Sequence, residues 1–351
     1  MKNVLFILKY RSKEPEPGST KYTYLNSGVW QSAKFLADDL CKEGFNASVV
    51  HAIDNNCIDR LVTENKADIV IIEAFWVVPE KFEILQQLHP HIKWIVRNHS
   101  AMPFISSEGI IIDWSLRYVD YSNVYIACNE YRTYDQFKFL VNEKQKTSKK
   151  VLYLPNTYPV DNMKHHATRK FFKTDGYVDV GCFGSIRPLK NHLTQAHAAI
   201  SFARQVGRRL RFHINSTHVE DGGNSTLDNL IALFEYNPNC ELICHPWLDH
   251  KDFLLLCRKM DIGLQVSFTE TFNIVAADLV SQGVPVISSP EIVWMYDGFK
   301  ANPNSSNDIL QKMIKVVSQR KYFPCIDDSQ KKLKKYCKQS IEYWKKQLKR
   351  L

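Results

Sequence analysis

The chain is predicted to be an α/β protein with two domains, and three observations lead to this prediction. Short apolar runs rich in Val and Ile alternate with longer amphipathic stretches, which is typical of parallel strands buried beneath helices. The 351 residues suffice for two such domains, each with its own core. A polar, basic segment, 161–173, separates the two series of strands. We therefore expect a first domain at 1–160, a hinge at 161–177, a second domain at 178–330 and a basic amphipathic C-terminal helix at 331–351.

The first half begins with the apolar run VLFIL, which predicts a buried strand, and continues with a helix from about Ser27 to Gly44. Further apolar runs predict more parallel strands at NASVVHAI, ADIVIIEAFW, IKWIVRNHS, NVYIACN and KVLYLPN. This alternation is typical of a Rossmann-like domain, here ending near Pro159. Neither half contains G-x-G-x-x-G or a Walker loop, so a dehydrogenase or a kinase is not supported.

The second half opens with an apolar strand, Val178 to Phe183, which runs into Gly184, Arg187 and Lys190 before a long amphipathic helix. Two cations at a strand-to-helix loop suit a diphosphate. Arg187 can bind phosphate oxygens as a fork, and Lys190 can add a point charge where negative charge develops on a leaving group. The alternative is a loop that carries two solvated cations.

A second strand–loop–helix–strand unit occupies 261–289, starting with the strand DIGLQV. Thr269 or Thr271 is predicted to cap a helix over FNIVAADLVSQ, with Gly283 ending it before the buried run VPVI. Glu270 lies on the loop at the carboxyl end of the first strand, where open parallel sheets bind ligands. A carboxylate at this point can accept hydrogen bonds from sugar hydroxyls.

The helix start in this unit offers a phosphate site. Free backbone amides from about Phe272 through Asn273 to Ile274 can face a phosphate, and Asp278, two turns along, could reach a ribose diol. For the two carboxylates alone, the alternative is a helix-start carboxylate and a solvated one.

The spacing of Glu270 and Asp278 resembles the glutamate, seven residues, glutamate signature of retaining glycosyltransferases with the GT-B architecture, especially the family 4 group with its many bacterial and phage sugar transferases. The run FGSIRPLKN is similar to the glycine, arginine and lysine loop that holds the donor diphosphate in that family. Three features depart from the pattern: Asp278 is shorter than glutamate, Asn273 stands where glycine is frequent, and the gap from Arg187 to Lys190 is short.

The resemblance implies two Rossmann-like domains facing across a cleft, with the C-terminal helix crossing back to the first domain. It implies hexosyl or pentosyl transfer from a nucleotide-sugar, by default a UDP-sugar, with retention of configuration and without a metal cofactor. The expected catalytic residues are Glu270, Arg187, Lys190 and His99, and the expected donor-binding residues are Gly184, Phe272, Asn273, Ile274, Asp278 and Gly28.

His99 and Gly28 are the two expected site residues in the first half. His99 ends a predicted strand, and a histidine occurs at a similar strand end in several family members, where it could contact the donor sugar or the acceptor hydroxyl. The alternative is a histidine satisfied by backbone groups. Gly28 lets a phosphate approach the first helix closely, or is simply a helix-start glycine.

The nine cysteines are scattered singly, which argues against a disulfide framework. One cluster, Cys240, Cys244, His245 and Cys257, leaves a zinc site as an alternative to buried thiols. The chain has no D-x-D triplet for a manganese-bound diphosphate. No membrane span or signal-peptide core is present, so a cytoplasmic location is expected, in the host if the gene belongs to a phage.

Positive charge concentrates at 331–351, where nine Lys or Arg face one acid, giving +8 of the total +9. Apolar residues recur there at spacings of three and four, which predicts a basic amphipathic helix that is either solvated or in contact with an anionic surface. The loops Lys9–Tyr24, which contains tyrosines, and Lys144–Lys150 add further cations.

These cations favour a polyanionic acceptor. Hydroxymethylated pyrimidine in DNA ranks first, because the motif style resembles phage transferases, some of which glycosylate such bases. A lipid-linked or surface polysaccharide, with the basic helix resting on a membrane, ranks second. A catalytically silent protein that binds nucleotide-sugar or nucleic acid is the remaining alternative, which Asp278 and Asn273 permit.

Overall fold

The computed structural model describes residues 1–10, 28–161, 163–164, 174–320 and 325–351, without the side chains of 319, 320 and 325–327. These residues form two compact units, Met1–Pro159 with Cys337–Leu351 and Val160–Tyr336. Most of the predicted hinge at 161–177 and of the predicted loop Lys9–Tyr24 lies outside the described residues.

The first unit is built on a six-stranded parallel sheet with the strand order β2-β1-β3-β4-β5-β6. The central strand β3, IVIIE, is buried along its whole length, as expected for a strand covered on both faces. The elements are β1 (Asn3–Lys9), α1 (Gly28–Lys42), β2 (Asn46–Ala52), α2 (Cys57–Glu64), β3 (Ile69–Glu73), α3 (Lys81–Leu88), β4 (Lys93–Asn98), α4 (Met102–Ile105), α5 (Ile111–Tyr118), β5 (Val124–Cys128), α6 (Tyr131–Gln145) and β6 (Val151–Tyr153).

The C-terminal helix contributes its last part to this first unit. Ile341, Trp344 and Leu348 are buried in a cluster with strand and α1 residues, and the Trp344 indole N–H donates to the Pro155 carbonyl at 2.7 Å. The ring of Phe6 lies 5.8 Å from that of Trp344. The predicted return of the helix to the first domain is therefore confirmed. Its apolar face is used in the core.

The second unit contains a five-stranded parallel sheet with the order β11-β10-β7-β8-β9. Its elements are β7 (Tyr177–Gly181), α7 (His192–Gln205), β8 (Arg209–Asn215), α8 (Gly223–Glu235), β9 (Cys240–His245), α9 (His250–Cys257), β10 (Ile262–Gln265), α10 (Ile274–Ser281), β11 (Val286–Ser288), α11 (Ser306–Arg320) and α12 (Cys325–Arg350), the last of which continues into the first unit.

Two parallel α/β sheets of six and five strands confirm the predicted fold class. In the second sheet the chain runs outward from β7 through β8 to β9, then returns to place β10 on the other side of β7. The loops after β7 and β10 therefore flank the topological switch point, where open α/β sheets bind ligands. In the described part of the chain, no helix is both long and apolar enough to cross a membrane.

Candidate functional site

The switch point of the second unit brings the loops after β7 and β10 into direct contact. The backbone N–H of Phe268 donates to the Leu189 carbonyl at 2.9 Å. The amide of Asn191 donates to the Val266 carbonyl at 3.0 Å, across the same two loops. Parallel pairing of β7 with β10 causes this meeting, because both strands end at the same edge of the sheet. Motifs about eighty residues apart in sequence thus form one site.

Lys190 and Glu270 form the centre of this site. The Lys190 ammonium lies 2.5 Å from Glu270 Oε1, and their side chains are 13% and 7% exposed. The Asn273 side-chain amide donates to the same Glu270 oxygen and to Gln265 Oε1, both at 2.9 Å. Three predicted site residues are therefore adjacent. Each member of such an ion pair can exchange its partner for a ligand group. Lys190 can bind an anionic group in place of Glu270, and Glu270 can bind a hydrogen-bond donor in place of Lys190.

Arg187 takes a different position, beside the loop that follows β8. Its guanidinium is 3.7 Å from Glu220 and 3.9 Å from Asp221, and the side chain is 22% exposed. A hydrogen bond from His218, together with the charge of Arg187, lowers the pKa of Glu220 to about 2. The Glu220 carboxylate therefore stays charged beside the Arg187 guanidinium. Neither His218 nor Glu220 was predicted from the sequence, because no motif marks them there.

The start of α10 differs from the prediction, because neither Thr269 nor Thr271 caps it. The helix begins at Ile274 and its cap is Asn273, whose side-chain oxygen accepts from the Ala276 N–H at 2.8 Å. Asn273 has a φ of 58°, a left-handed conformation that Asn tolerates better than most residues.

This helix start leaves fewer of the predicted backbone amides available for a phosphate. Phe272 precedes the helix, its side chain is buried, and its carbonyl accepts from the Trp294 indole at 2.7 Å. The first helical amides belong to Ile274 and Val275, which as first-turn residues have no acceptor within the helix. Of the predicted range Phe272 to Ile274, the structure thus places only Ile274 in the first helical turn.

Gly184 follows β7 at a φ of 112°, a conformation that side-chain-bearing residues rarely adopt. Its N–H donates to the Asn215 side-chain oxygen at 3.0 Å, so this amide is engaged within the protein. The nearest atom to an added Cβ is Val275 Cγ2 at 3.9 Å. Backbone conformation, and not lack of space, is therefore the reason for glycine at this position.

Asp278 is buried on α10 and pairs with His250, the first residue of α9, at 2.7 Å. Burial opposes protonation of His250, but the hydrogen bond and the charge of Asp278 outweigh it and raise its pKa. The carboxylate predicted to meet a ribose therefore has a histidine as its immediate partner. The sequence pattern gave no signal for His250.

Several buried polar groups at the switch point have no hydrogen-bond partner among the described residues. His192, at the start of α7, is 1% exposed, and neither of its ring nitrogens is paired there. Burial, followed by the charges of Lys190 and Arg187, lowers its pKa to about 3, so the ring is neutral. The hydroxyls of Ser267 and Thr269 are also buried without a partner in this part of the chain. Buried polar atoms are rarely left in this state, which is consistent with a polar ligand or ordered water.

The zinc alternative is not supported by the geometry. His245 pairs with His213 at 2.8 Å, and His213 pairs in turn with Asp179 at 3.0 Å. Cys244 is exposed, whereas burial raises the pKa of the Cys257 thiol. Within the described ranges, no group of three His, Cys, Asp or Glu side chains is placed to hold a metal ion.

In the first unit, His99 belongs to a buried charged cluster at the carboxyl ends of β3 and β4. Glu73 accepts from both His99 Nε2 and Arg97, the latter at 3.1 Å, and Arg97 also donates to Asn156. Burial lowers the pKa of His99, although Glu73 acts in the opposite direction, and the side chain is 15% exposed. His99 is therefore a neutral ring with a carboxylate partner, and not a histidine satisfied by backbone groups alone. Gly28 is the first described residue of α1, and its predicted role in phosphate binding stays a prediction.

Comparison with known proteins bears on the fold. No family model matches the chain, and a search of curated proteins finds no match. Sucrose-phosphate synthase from Thermosynechococcus elongatus superposes with a TM-score of 0.66 at 10% identity over 99% of both chains. HepE from Anabaena, solved with UDP and glucose, has a TM-score of 0.65 at 12% identity over 99% of both chains. A UDP-forming α,α-trehalose-phosphate synthase from Burkholderia vietnamiensis has a TM-score of 0.63 at 11% identity, over 98% of this chain and 94% of its own. At such identities the likeness establishes the two-domain α/β fold.

Proposed function

We propose that the chain is a glycosyltransferase whose second unit holds a nucleoside-diphosphate sugar, with a UDP-sugar as the first candidate. The observation that carries this proposal is the meeting of Lys190, Glu270 and the first turn of α10 at the switch point, with Arg187 in the same loop as Lys190. These groups supply two cations, two helix amides and a carboxylate, which match a diphosphate joined to a sugar. The fold neighbours include proteins solved with UDP, or with UDP and glucose.

The Lys190–Glu270 pair suggests how the donor is accepted. The incoming diphosphate takes Lys190 as its partner, and the released Glu270 oxygen then accepts a hydrogen bond from a sugar hydroxyl. Arg187 and Lys190 stabilise the negative charge that grows on the diphosphate as the glycosidic bond breaks. The departing phosphate accepts the proton of the acceptor hydroxyl. We include retention of configuration at the anomeric carbon in the proposal because the sequence motifs resemble those of retaining transferases. Asp278, with His250 beside it, meets the ribose.

The proposed acceptor is a polyanion, with hydroxymethylated pyrimidine in DNA as the first candidate. The helix α12 carries exposed cations, among them Lys334, Lys338, Lys346 and Lys349. A lipid-linked or surface polysaccharide is the second candidate. The buried apolar face of α12 does not favour insertion of this helix into a membrane, so contact would use its basic face alone.

The test incubates the protein with a pool of nucleotide sugars and duplex DNA containing hydroxymethylcytosine or hydroxymethyluracil. Release of nucleoside diphosphate is followed over time. The DNA is then digested to nucleosides, and their masses are measured by mass spectrometry. A sugar-sized gain on a modified base supports the DNA acceptor. Repeated release without that gain retains the transferase and directs the search to polysaccharides, whereas a single saturating binding event without turnover indicates a silent binding protein.

Arg187→Ala is expected to lower turnover by about 10²- to 10³-fold, the usual loss when one group that stabilises transition-state charge is removed. Arg204→Ala is the matched control, because Arg204 is an exposed arginine in the last turn of α7. Thermal unfolding of both variants checks that they remain folded. Near-normal turnover in Arg187→Ala would reject the assigned role of this residue.

A further inference from the structure

Four tyrosines of the first unit, Tyr131, Tyr134, Tyr153 and Tyr343, form a surface cluster that we name the tyrosine patch. The ring of Tyr131 lies 5.8 Å from that of Tyr134 and 5.6 Å from that of Tyr153. Tyr153 lies 5.7 Å from Tyr134 and 5.1 Å from Tyr343. Tyr131 is 60% exposed and Tyr343 is 46% exposed. Tyr134 packs against the core of this unit, whereas Tyr131 and Tyr343 contribute little to it, so the position of these two exposed rings needs another reason.

The tyrosine patch lies at the ligand-binding edge of the six-stranded sheet. Tyr131 begins α6 just after β5, and Tyr153 is the last residue of the edge strand β6. Because β5 and β6 are parallel neighbours, their carboxyl ends meet on the same side of the sheet. Tyr343 reaches this edge from α12, where the next residue, Trp344, bonds to the Pro155 carbonyl beyond β6. Three separate elements thus supply one aromatic surface.

Cations flank the rings on both contributing helices. The Lys138 ammonium lies 5.3 Å from the centre of the Tyr134 ring. On α12, Lys346 and Arg350 are exposed and lie one and two turns beyond Tyr343, on the same face of the helix. Of the nearby acids, Glu342 is paired with Lys345 at 3.1 Å, and Asp135 is exposed one turn beyond Tyr131. The surroundings of the rings are therefore positive overall.

We infer that the tyrosine patch binds single-stranded nucleic acid, with bases stacking on the rings and phosphates contacting Lys138, Lys346 and Arg350. Exposed aromatic rings interleaved with cations suit a polymer that alternates flat bases with phosphates. A duplex keeps its bases stacked inside, so an unpaired stretch fits the rings better. This inference deepens the proposed function, since the patch would hold the strand that carries the acceptor base, but its test needs no sugar donor.

The test measures fluorescence anisotropy of a labelled oligothymidylate and of an abasic phosphate oligomer of the same length, both with the full chain. We expect tighter binding of the oligothymidylate. Tyr131→Ala and Tyr343→Ala should each weaken it about tenfold, as expected for one lost stacking contact, and leave abasic binding unchanged. Lys346→Ala with Arg350→Ala should weaken both probes and reduce the salt dependence of log K by about 0.7 for each cation removed.

Tyr343→Phe retains the ring, so it should bind oligothymidylate like the unmodified chain. Phe139→Ala is the matched control, because Phe139 is an exposed aromatic residue on α6 outside the patch. Equal affinity for the two probes, or an equal loss in the Phe139 variant, would overturn the inference. Stronger binding of a sulfated glycan than of the oligothymidylate would do the same. Binding is scored without a donor, so absence of sugar transfer would reject the proposed function and leave this result unaffected.

Discussion

The carboxyl edges of the two sheets carry similar charged side chains, yet they differ in how those charges reach solvent. In the second unit Lys190, Glu270 and Arg187 keep between 7% and 22% of their side chains exposed. In the first unit Glu73 and Arg97 pair with each other at 0% exposure. The Arg97 guanidinium also donates to the Leu154 carbonyl at 3.1 Å, which completes a closed network.

This difference in exposure distinguishes an ion pair that can bind a ligand, Lys190–Glu270, from one that only stabilises the fold, Glu73–Arg97. A partly exposed ion pair can exchange its partner for a ligand, because water and ligand replace the lost contact at low cost. A fully buried, sealed pair such as Glu73–Arg97 cannot exchange a partner, since each isolated charge would remain in a low-dielectric interior. The second unit therefore carries the charges that the proposed diphosphate site requires. The first unit presents His99 as a neutral ring backed by that sealed pair.

Replacing the two carboxylates in turn, Glu73 and Glu270, gives the largest expected difference between the two units. Glu73→Gln should lower the free energy of unfolding by about 3–5 kcal/mol, because Arg97 is left buried without a counter-charge. Glu270→Gln should cost less stability than Glu73→Gln, since the Lys190 side chain is 13% exposed whereas that of Arg97 is fully buried, and it should strongly reduce release of nucleoside diphosphate. Urea unfolding followed by tryptophan fluorescence measures the first effect, and donor turnover measures the second.

The control for this pair is the double variant Glu73→Gln with Arg97→Met, which removes both charges and should recover a large part of the lost stability. Similar stability losses for Glu73→Gln and Glu270→Gln would contradict the distinction between a sealed and an exchangeable pair.

The buried His192 predicts a pH dependence for the stability of the second unit. Its pKa of about 3 lies below the unfolded value of 6.5, so the unfolded chain binds one more proton between these values and stability falls as pH drops. Between pH 7 and pH 5 this single group should cost about 2 kcal/mol of unfolding free energy. His192→Leu should remove that part of the pH dependence, measured by urea unfolding at the two pH values without ligand. An unchanged slope would mean that His192 is protonated in the folded protein.

Much of the fold could be predicted from the sequence, because buried parallel strands consist of short runs rich in Val and Ile. The run IVIIE became a fully buried central strand, and the spacing of Trp344 and Leu348 predicted the buried face of α12. Two loop motifs, and the rule that ligands bind at strand carboxyl ends, assigned Lys190 and Glu270 to one predicted site, but their direct ion pair was not predicted.

The rest depended on features that no local pattern encodes. The strand order places β10 beside β7, and this order decides which distant loops supply Glu220 to Arg187 and His250 to Asp278. The cap of α10 was predicted wrongly because threonine and asparagine are both good caps, and the sequence pattern does not show that the helix begins only at Ile274.

The pair His250–Asp278 gives the smallest expected effect, and it differs from both other pairs because a partly exposed histidine faces a buried carboxylate. The side chain of His250 is 21% exposed and that of Asp278 is 3% exposed. The pKa of His250 is raised despite burial, since Asp278 bonds to it, so the pair stabilises the fold below pH 6.5 and loses this contribution as pH rises through the folded value. Solvent screening limits the coupling to about 1 kcal/mol or less.

A double-mutant cycle of His250→Ala and Asp278→Asn, with unfolding measured at pH 5.5 and pH 8.5, tests this reasoning. The coupling energy should be present at the lower pH and smaller at the higher one. A coupling that is equal at both pH values would show that the contact is a neutral hydrogen bond. The pair would then offer no exchangeable charge, and the proposed ribose position at Asp278 would resemble the closed network of the first unit more than the Lys190–Glu270 pair.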